Sequence, residues 1–405
     1  MYRKFTADWV FPVSSDPIRN GVVICKEDGT VEALLSPEEA QSEGVLDGSM
    51  EVMEGVLCPG FVNAHCHLEL SHMKGVIPPG TGLPSFIRKV ITSRDAAAEV
   101  MQAAMEAADA EMHAEGIVAV GDISNLDVTF PVKQKSRLYY HTFVELLGID
   151  PARAYQVVDH GKALLERLRA LGLAGSLSPH APYTASPQLL KAISTCAYEE
   201  DMILTLHNQE CDAEHEMFIS GTGDMMDVLK EVGIDMTVFR PTGFSSLAST
   251  LTHLSPCNSL QLVHNTCSKE EDVDKAGEFG FQLWWCLCPR ANIYIENRLP
   301  DVEMLRRKGL RMTVGTDGLT SNHSLSMLEE LKVIQQAFPS TPLQELLQWA
   351  TLNGARFLGQ SQHLGSLEKG KRPGLNLISQ MNVQNLEFSE GSRIASVTFS
   401  GDPLK

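Results

Sequence analysis

The sequence predicts an α/β fold, namely a (β/α)8 TIM-like barrel with a small β-sandwich domain formed by both chain ends. From residue 57 onward, eight short apolar runs alternate with longer amphipathic stretches, as in repeated βα units. Eight such units favour a closed barrel. The runs cover residues 57–67, 116–124, 137–146, 175–182, 202–210, 260–265, 281–289 and 310–318.

The stretches between these runs read as helices. Residues 96–115 are dense in good helix formers, and residues 186–198 open with Ser186 and Pro187, which suit an N-cap and a first helical turn. Two longer excursions, 72–93 and 211–258, follow the first and fifth runs. Loops of this length in a barrel usually cover the site or select the substrate.

The two chain ends differ from the middle. VVICKEDGTVEALL predicts two strands around a Glu-Asp-Gly turn, and short strands recur beyond residue 366. Neither end is long enough to build a core alone. We therefore expect residues 1–56 and 366–405 to form one small β domain beside a barrel of residues 57–365.

Composition limits the function. The 405 residues carry 33 basic and 51 acidic side chains, and the resulting net charge of −18 repels nucleic acid and anionic lipid. Nine scattered cysteines fit reduced thiols, and neither a signal-peptide core nor an apolar run of about 18 residues is visible. We predict a cytoplasmic protein that acts on a small molecule.

Metal-ligating residue types gather where the predicted strands end. His65 and His67 are two residues apart, so that both imidazoles project from one face of an extended strand. His207, His264 and Asp317 end the fifth, sixth and eighth runs. A single histidine at a strand end is most often a packing residue. Five such groups at the catalytic end of one barrel instead predict a metal site.

At this point the sequence resembles the amidohydrolase superfamily, specifically its mononuclear deaminase and chlorohydrolase-like branch. The resemblance covers nearly the whole chain, and its short runs look most like aminofutalosine deaminases. One departure is Gly374, which stands where the family usually has an acidic residue. The motifs, in order, are PGFVNAHCHLELS, SPHAPYTAS, HNQE, VHN, CPRANIYI, GTDGLTSN and HLGSLEKGKRPGLNLI.

The resemblance implies that His65, His67, His207 and Asp317 bind one divalent metal. Zinc is the first choice, with iron(II) and manganese as alternatives that the same ligands accept. Two-metal members of the superfamily use a carboxylated lysine on the fourth strand, whereas the fourth run here contains no lysine. We therefore expect one metal per chain. Similar proteins are often homodimers.

Further roles also follow from the resemblance. Glu210 would carry protons to the ring nitrogen and to the leaving amine, while His264 or Asp317 takes a proton from the attacking water. His180 would face the substrate. Glu69 extends the alternation of His65 and His67 and could reach the pocket, and Arg290 is a strand-end cation for a substrate carboxylate.

Cysteines near the predicted site suggest no second metal site. Cys286 and Cys288 form a CxC on the seventh run, but no paired Cys or His motif lies nearby to complete four ligands. We predict that both are buried thiols. Cys66, between the two histidines, should face a helix on the other side of its strand.

These observations predict a metal-dependent hydrolytic deaminase of an aminated purine-type ring, such as aminofutalosine or a related adenosine derivative. Other substrates for the same groups are adenosine, S-adenosylhomocysteine, guanine, a pterin or a chlorinated triazine. Hydrolysis of a cyclic amide is disfavoured because it usually employs a lysine-bridged metal pair. A metal-binding protein without catalysis is a third alternative, against which the free carboxylate of Glu210 argues.

Overall fold

The computed structural model describes residues 2–46, 49–255, 259–280 and 282–399. Its strands are β1 (Tyr2–Thr6), β2 (Trp9–Val10), β3 (Ile18–Arg19), β4 (Val22–Lys26), β5 (Val31–Leu35), β6 (Met50–Val52), β7 (Val56–Pro59), β8 (Phe61–Cys66), β9 (Ile117–Ser124), β10 (Tyr139–Leu146), β11 (Ala174–Pro179), β12 (Ile203–Asn208), β13 (Ser259–His264), β14 (Leu283–Leu287), β15 (Met312–Val314), β16 (Leu375–Ser379) and β17 (Arg393–Ser396).

The α-helices are α1 (Pro37–Ser42), α2 (Leu83–Ser93), α3 (Ala98–Ala114), α4 (Phe130–Lys135), α5 (Ala154–Ala170), α6 (Pro187–Glu199), α7 (Asp212–Ser220), α8 (Asp224–Glu231), α9 (Ser246–Leu251), α10 (Glu270–Gly277), α11 (Pro289–Glu296), α12 (Val302–Arg307), α13 (Met327–Ala337), α14 (Leu343–Gln348) and α15 (Gly354–Phe357). A π-helical segment, Trp349–Asn353, joins the last two. None of the helices in the described ranges has the length and apolar character needed to cross a membrane.

Eight parallel strands form two four-stranded sheets, in the orders β11-β10-β9-β8 and β12-β13-β14-β15. They confirm that eight strands lie at the predicted places, although the first predicted strand differs in its extent. Helices α3 and α6 likewise confirm the two predicted helices, and the Ser186 hydroxyl accepts a hydrogen bond from the Leu189 amide as the expected N-cap. The large apolar core lies between these strands and the helices.

The edges of the two sheets meet on both sides. At one seam, the amides of Thr316 and Asp317 both donate to the His65 carbonyl at 3.1 Å. At the other, the Thr205 amide donates to the Ser178 hydroxyl at 2.8 Å, and that hydroxyl donates to the Thr205 carbonyl at 2.6 Å. The two sheets are therefore linked to each other at both seams.

One predicted strand is wrong in its extent. Residues 57–67 do not form a single strand, because the chain divides at Gly60 into β7 and β8. A Cβ at Gly60 would lie 2.4 Å from Val118 Cγ1 and 2.7 Å from the Pro373 carbonyl, so only glycine fits this close approach. Strand β7 pairs with β2 and β16 instead of with the parallel sheet.

Strands from both chain ends share a sheet, of order β17-β16-β7-β2-β3, beside a second sheet of order β5-β4-β1-β6. The two share a cluster of apolar side chains that includes Phe5, Val23 and Leu375. The predicted turn between β4 and β5 is confirmed: Asp28 Oδ1 accepts from the Thr30 amide at 2.9 Å. Gly374, the departure from the family pattern, has a φ of +71°, which favours glycine.

The cysteines match the prediction where they are described. All eight described cysteines are free and buried, while Cys257 lies outside the described residues. Cys286 and Cys288 pack with Ala64 and Val263 in a small apolar cluster. Cys66 belongs to the large core cluster, together with Met105 of α3.

Candidate active site and metal centre

Four predicted ligands converge where the parallel strands end. His67 Nε2 lies 3.2 Å from His65 Nε2 and 3.1 Å from His207 Nε2. Asp317 Oδ1 lies 3.5 Å from His65 Nε2 and 3.4 Å from His67 Nε2. Residues from three strand ends that are far apart in sequence therefore present four donor atoms to one point.

This spacing fits a single metal ion. Donors about 2.0–2.1 Å from a tetrahedral zinc lie about 3.3–3.4 Å from one another, and the measured separations run from 3.1 to 3.5 Å. His207 Nδ1 lies 2.9 Å from the His180 carbonyl, to which it donates, so its Nε2 carries a lone pair. This lone pair lies 3.1 Å from His67 Nε2, an arrangement that a cation bound by both nitrogens would stabilise.

The protonation states also suit a metal. Burial lowers the pKa of His65, lowers that of His67 to about 3 and lowers that of His207 well below its ordinary value. Metal ligands must be neutral imidazoles. The three histidines are therefore in the form that binds a divalent ion at neutral pH.

The backbone segment on either side of Asp317 packs closely against His65 and His67. A Cβ at Gly315 would lie 2.8 Å from His65 Cβ, and one at Gly318 would lie 3.1 Å from His67 Cβ. Gly315 is thus required by the approach of this segment to β8, and a side chain at Gly318 would crowd His67. Asp317, between them, has a φ of +55°, which is uncommon for a residue with a side chain.

A buried ion pair lies behind the ligand strand. Asp122 Oδ2 lies 2.6 Å from Lys133 Nζ, and neither side chain is exposed. Asp122 Oδ1 accepts from the amide of Leu68, the residue after His67, at 2.8 Å. The pair therefore fixes the backbone next to a predicted ligand, although sequence reasoning did not identify it.

Glu210 lies beside the ligand cluster in a buried position. Its Oε1 accepts from the Tyr183 hydroxyl at 3.2 Å, and its Oε2 lies 3.5 Å from His264 Nε2. The buried carboxylate of Glu214 accepts from the amides of Gln209 and Glu210 at 3.1 and 3.0 Å. Burial raises the pKa of Glu210. A carboxyl group that is fixed in place and easily protonated suits proton transfer.

His264 faces both acidic groups of the site. Its Nδ1 contacts Asn292 Oδ1 at 2.9 Å. Its other ring nitrogen, Nε2, therefore faces Glu210. Burial lowers the pKa of His264, but the carboxylates of Glu210 and Asp317 outweigh this effect and raise it above its ordinary value. The structure thus brings His264 and Glu210 together, as the sequence analysis expected.

His180 also lines the cavity at the site. Its Nδ1 contacts the Thr184 hydroxyl at 2.7 Å, and burial lowers its pKa to about 4. A neutral imidazole whose other nitrogen is not fixed by Thr184 can contact a ligand. This placement is compatible with the substrate contact predicted for His180.

Glu69 forms a polar network with residues that the sequence analysis did not identify. Its Oε2 accepts from the Asn125 amide at 3.0 Å, and its Oε1 lies 3.4 Å from Arg94 Nη2. Asn125 Nδ2 donates to Glu145 Oε2 at 2.9 Å, whereas Oε1 of Glu145 is buried without a hydrogen bond to any described residue. Glu145 ends the third predicted strand, so the strand-end rule could have found it.

Arg290 does not lie where its predicted role requires. Its guanidinium donates to the Ser324 hydroxyl at 2.6 Å, its amide donates to Glu330, and it is absent from the described residues that line the cavity. The cation that does line the cavity is Arg94. The choice of Arg290 rested on its position after the seventh strand, but α11 begins there and carries the side chain away.

Both long excursions contribute to a cavity over the site. The cavity has a volume of about 180 Å³, below the roughly 300–1,000 Å³ of pockets for drug-sized ligands. Arg88 of α2 pairs with Glu231 of α8 at 3.2 Å, so the two covering segments touch. The apolar lining from these segments is Leu83, Phe86, Ile87, Val90, Ile91, Leu229 and Ile234.

Several known proteins are similar to this chain. The chain is 28% identical to an aminodeoxyfutalosine deaminase from Deinococcus radiodurans, over 84% of this chain and 81% of that protein. Helicobacter pylori aminofutalosine deaminase in complex with methylthio-coformycin has a similar structure, with a TM-score of 0.80 and 23% identity over 96% of this chain and 93% of that one. An adenosine deaminase from Xanthomonas campestris with bound zinc matches with a TM-score of 0.68 and 23% identity, over 95% of this chain and 86% of that one.

The family model for the amidohydrolase family matches residues 56–404. This match covers all the strand ends that carry the candidate ligands. The predicted resemblance to the deaminase branch is confirmed by these relatives. The chain belongs to the amidohydrolase family.

Proposed function

We propose that this protein is a metal-dependent deaminase that hydrolyses the exocyclic amine of an adenine-like ring. The observation that carries the proposal is the placement of Glu210 beside the converging donors of His65, His67, His207 and Asp317. Four donors suffice for one divalent ion, for which zinc is our first choice. Glu210 remains outside that set as a group for proton transfer.

When bound, a divalent ion in this site would lower the pKa of a water molecule and make it a nucleophile near neutral pH. The side chains supply the proton transfers. Asp317 or His264 accepts the proton of the attacking water. Glu210 donates a proton to the ring nitrogen next to the attacked carbon, then takes the proton of the newly added hydroxyl and passes it to the amine. The proton held by Asp317 or His264 returns to Glu210 at the end of the cycle. The carbon–nitrogen bond breaks, ammonia leaves, and the ring keeps the oxygen.

Several observations support an adenosine-like substrate. Relatives of this chain are named as aminodeoxyfutalosine, adenosine, and methylthioadenosine or S-adenosylhomocysteine deaminases. The cavity combines an apolar wall from the two covering segments with polar side chains at the strand ends, an arrangement that suits a purine-type ring. Glu210 supplies the proton donor that removal of an aromatic amine needs. Our preferred substrate is an adenosine derivative such as an aminofutalosine.

Other activities of the same groups are less well supported. A triazine or a guanine would use the same metal and Glu210. Cyclic-amide hydrolysis usually employs a lysine-bridged metal pair, and β11, all of whose residues are described, contains no lysine. A metal site without catalysis would leave no role for the buried carboxylate of Glu210.

The architecture that we propose for this activity is a closed (β/α)8 barrel and a β-sandwich of the two chain ends. Support comes from the hydrogen bonds at both seams between the parallel sheets and from the sheet that the chain ends share. We place the boundary at Gly60 rather than after residue 56, because β7 pairs with β16. The buried free thiols favour the cytoplasm as the compartment.

The test combines metal analysis with ammonia release. The purified protein should hold close to one divalent ion per chain and should release ammonia from a panel of adenine nucleosides. Chelation should abolish the release, and added zinc should restore it. Two tightly held ions per chain would contradict the mononuclear site, and ammonia release from none of the nucleosides would contradict the deaminase.

A further inference from the structure

A second group of metal-ligating side chains lies beside the proposed metal centre. Glu145, His180 and His207 offer ligand atoms that all lie within 4.8 Å of one another. All three residues line the cavity at the site. Only His207 belongs to the four donors that we assign to one ion. Glu145 and His180 are therefore available to a different ligand.

The carboxylate of Glu145 has one oxygen that is hydrogen-bonded and one that is not. Its Oε2 accepts from Asn125 Nδ2 at 2.9 Å. Its Oε1 has no hydrogen bond to any described residue, and only 4% of the side chain is exposed. His207 Nδ1 lies 3.5 Å from this oxygen but donates to the His180 carbonyl at 2.9 Å instead. A buried carboxylate oxygen without a partner is costly, so Glu145 Oε1 marks a place for a donor or a cation.

His180 offers a second acceptor to the same part of the cavity. The Thr184 hydroxyl donates its one hydrogen to the Ala181 carbonyl at 3.2 Å, so it accepts from His180 Nδ1 at 2.7 Å. Nδ1 therefore carries the ring hydrogen of the neutral imidazole, and Nε2 carries a lone pair. Glu145 and His180 thus present two acceptors and no donor to an incoming group.

The fold holds these two residues together through neighbouring strands. Glu145 lies one residue before the end of β10, and His180 directly follows β11. The two strands pair in parallel, with Glu145 opposite Ser178. Beyond this ladder, the His180 amide donates to the Leu146 carbonyl at 3.2 Å. Backbone hydrogen bonds therefore fix the relative position of the two side chains.

The chemistry of this pair suits a divalent cation. A carboxylate oxygen and an imidazole nitrogen are both ligands that zinc prefers. Among the described residues that line the cavity, Arg94 is the one lysine or arginine, and its guanidinium contacts Glu69. No side chain of the described cavity lining therefore supplies a positive charge to Glu145 Oε1. Two protein ligands are fewer than the three or four of catalytic and structural zinc sites, so an ion held here would bind weakly.

We propose that Glu145 and His180 bind a second, loosely held zinc ion beside the proposed catalytic ion, and that this second ion blocks the cavity when zinc is in excess. The cavity has a volume of about 180 Å³, which leaves too little room for a nucleoside next to such an ion. The blocking role rests on the proposed function, whereas the binding of the second ion does not. The first ion stays tightly bound, and the second exchanges with the solution.

Calorimetry of zinc added to protein that already holds one ion per chain tests the binding. The wild type should take up a second ion. Glu145→Gln should keep the first ion and weaken the binding of the second by at least about 10-fold, because even outer-shell partners of a metal contribute about 10- to 100-fold to its affinity. His180→Gln should weaken the second ion similarly, and it serves as the test if Glu145→Gln does not fold.

Glu69→Gln is the matched control, because both oxygens of this buried carboxylate are engaged, Oε2 by the Asn125 amide and Oε1 by Arg94. It removes a negative charge from the same network but should leave the second ion bound. Zinc that binds loosely to the acidic surface should be equal in all variants. The proposal is wrong if the wild type binds no second ion up to about 1 mM zinc, or if that ion binds equally in Glu145→Gln and His180→Gln. Loss of the first ion in Glu145→Gln would also overturn it.

Inhibition measures the blocking role and separates it from the proposed function. Excess zinc should inhibit deamination by the wild type in competition with the nucleoside, and the inhibition constant should rise by at least about 10-fold in Glu145→Gln, each protein being compared with itself without excess zinc. If an active enzyme binds the second ion without being inhibited, the blocking role is wrong. If no nucleoside is deaminated, the deaminase assignment is wrong, and calorimetry alone then decides whether the second zinc site exists.

Discussion

The metal end and the α2 end of the cavity are built in different ways. At the proposed metal end, which we call the metal end, His65 and His207 lie on strands whose ladder hydrogen bonds fix the backbone, and His67 directly follows the first of these strands. At the α2 end, the wall is one face of a helix that follows a segment rich in Gly and Pro. We propose that the first end determines which reaction takes place and that the second end selects the molecule that undergoes it.

This difference predicts two classes of variant. Substitutions at the metal end should remove the metal or slow the reaction for every substrate. Substitutions on α2 should change the preference among substrates and leave the metal in place. The predictions below test the metal end and its support, from the largest expected effect to the smallest.

His207→Ala should reduce metal content from about one ion per chain to nearly none and abolish deamination, because it removes one of four donors. Mass spectrometry of the native protein and an ammonia assay measure the two effects. His141→Ala is the matched control: this half-buried histidine bonds the Ser176 hydroxyl at 3.1 Å and does not line the cavity. Metal retained in His207→Ala would show that His207 is not a ligand.

Glu210→Gln should keep the metal and the fold but lower turnover by about 10²- to 10⁴-fold, the range for a lost general acid or base. Glutamine can still accept the hydrogen bond from Tyr183 but cannot transfer a proton at neutral pH. Substrate binding should change little, which calorimetry can measure. Loss of metal would make Glu210 a ligand, and near-normal turnover would contradict the proposed mechanism.

The strand-end residues could be predicted because their positions depend on local pattern. Apolar runs define the strands, and the alternation of side chains along a strand places His65 and His67 on one face. The structure brings these two together with His207 and Asp317, although residues up to 252 positions apart are involved. Parallel strands align their carboxyl ends, so distance along the chain does not matter.

The remaining features depend on contacts that no local pattern contains. Arg290 directly follows the seventh predicted strand whereas Arg94 follows helix α2, and only the packing of α11 and α2 decides that Arg94, rather than Arg290, lines the cavity. The split of residues 57–67 at Gly60 arises because Pro373, over 300 residues away, approaches that glycine. The buried pairing of Asp122 with Lys133 is likewise a tertiary contact.

Asp122→Asn should lower the free energy of unfolding by about 3–5 kcal/mol, because it leaves the charge of Lys133 buried without its partner. Urea denaturation followed by circular dichroism measures this change. The double variant Asp122→Asn with Lys133→Met should recover part of the loss, since no buried charge remains. An Asp122→Asn protein as stable as the wild type would show that the pair does not stabilise the fold.

Tyr183→Phe should have the smallest effect, a fall of about 2- to 10-fold in kcat/KM, because it removes one hydrogen bond of about 0.5–1.5 kcal/mol from the Tyr183 hydroxyl to Glu210 Oε1. That bond favours the charged carboxylate, so its loss should raise the pKa of Glu210 further. The limb of the pH–rate profile that reports the titration of Glu210 should therefore shift to higher pH. Tyr140→Phe is the control, because its hydroxyl bonds Asp109 away from the cavity. A pH profile that moves equally in both variants, or in neither, would mean that Tyr183 does not act on Glu210.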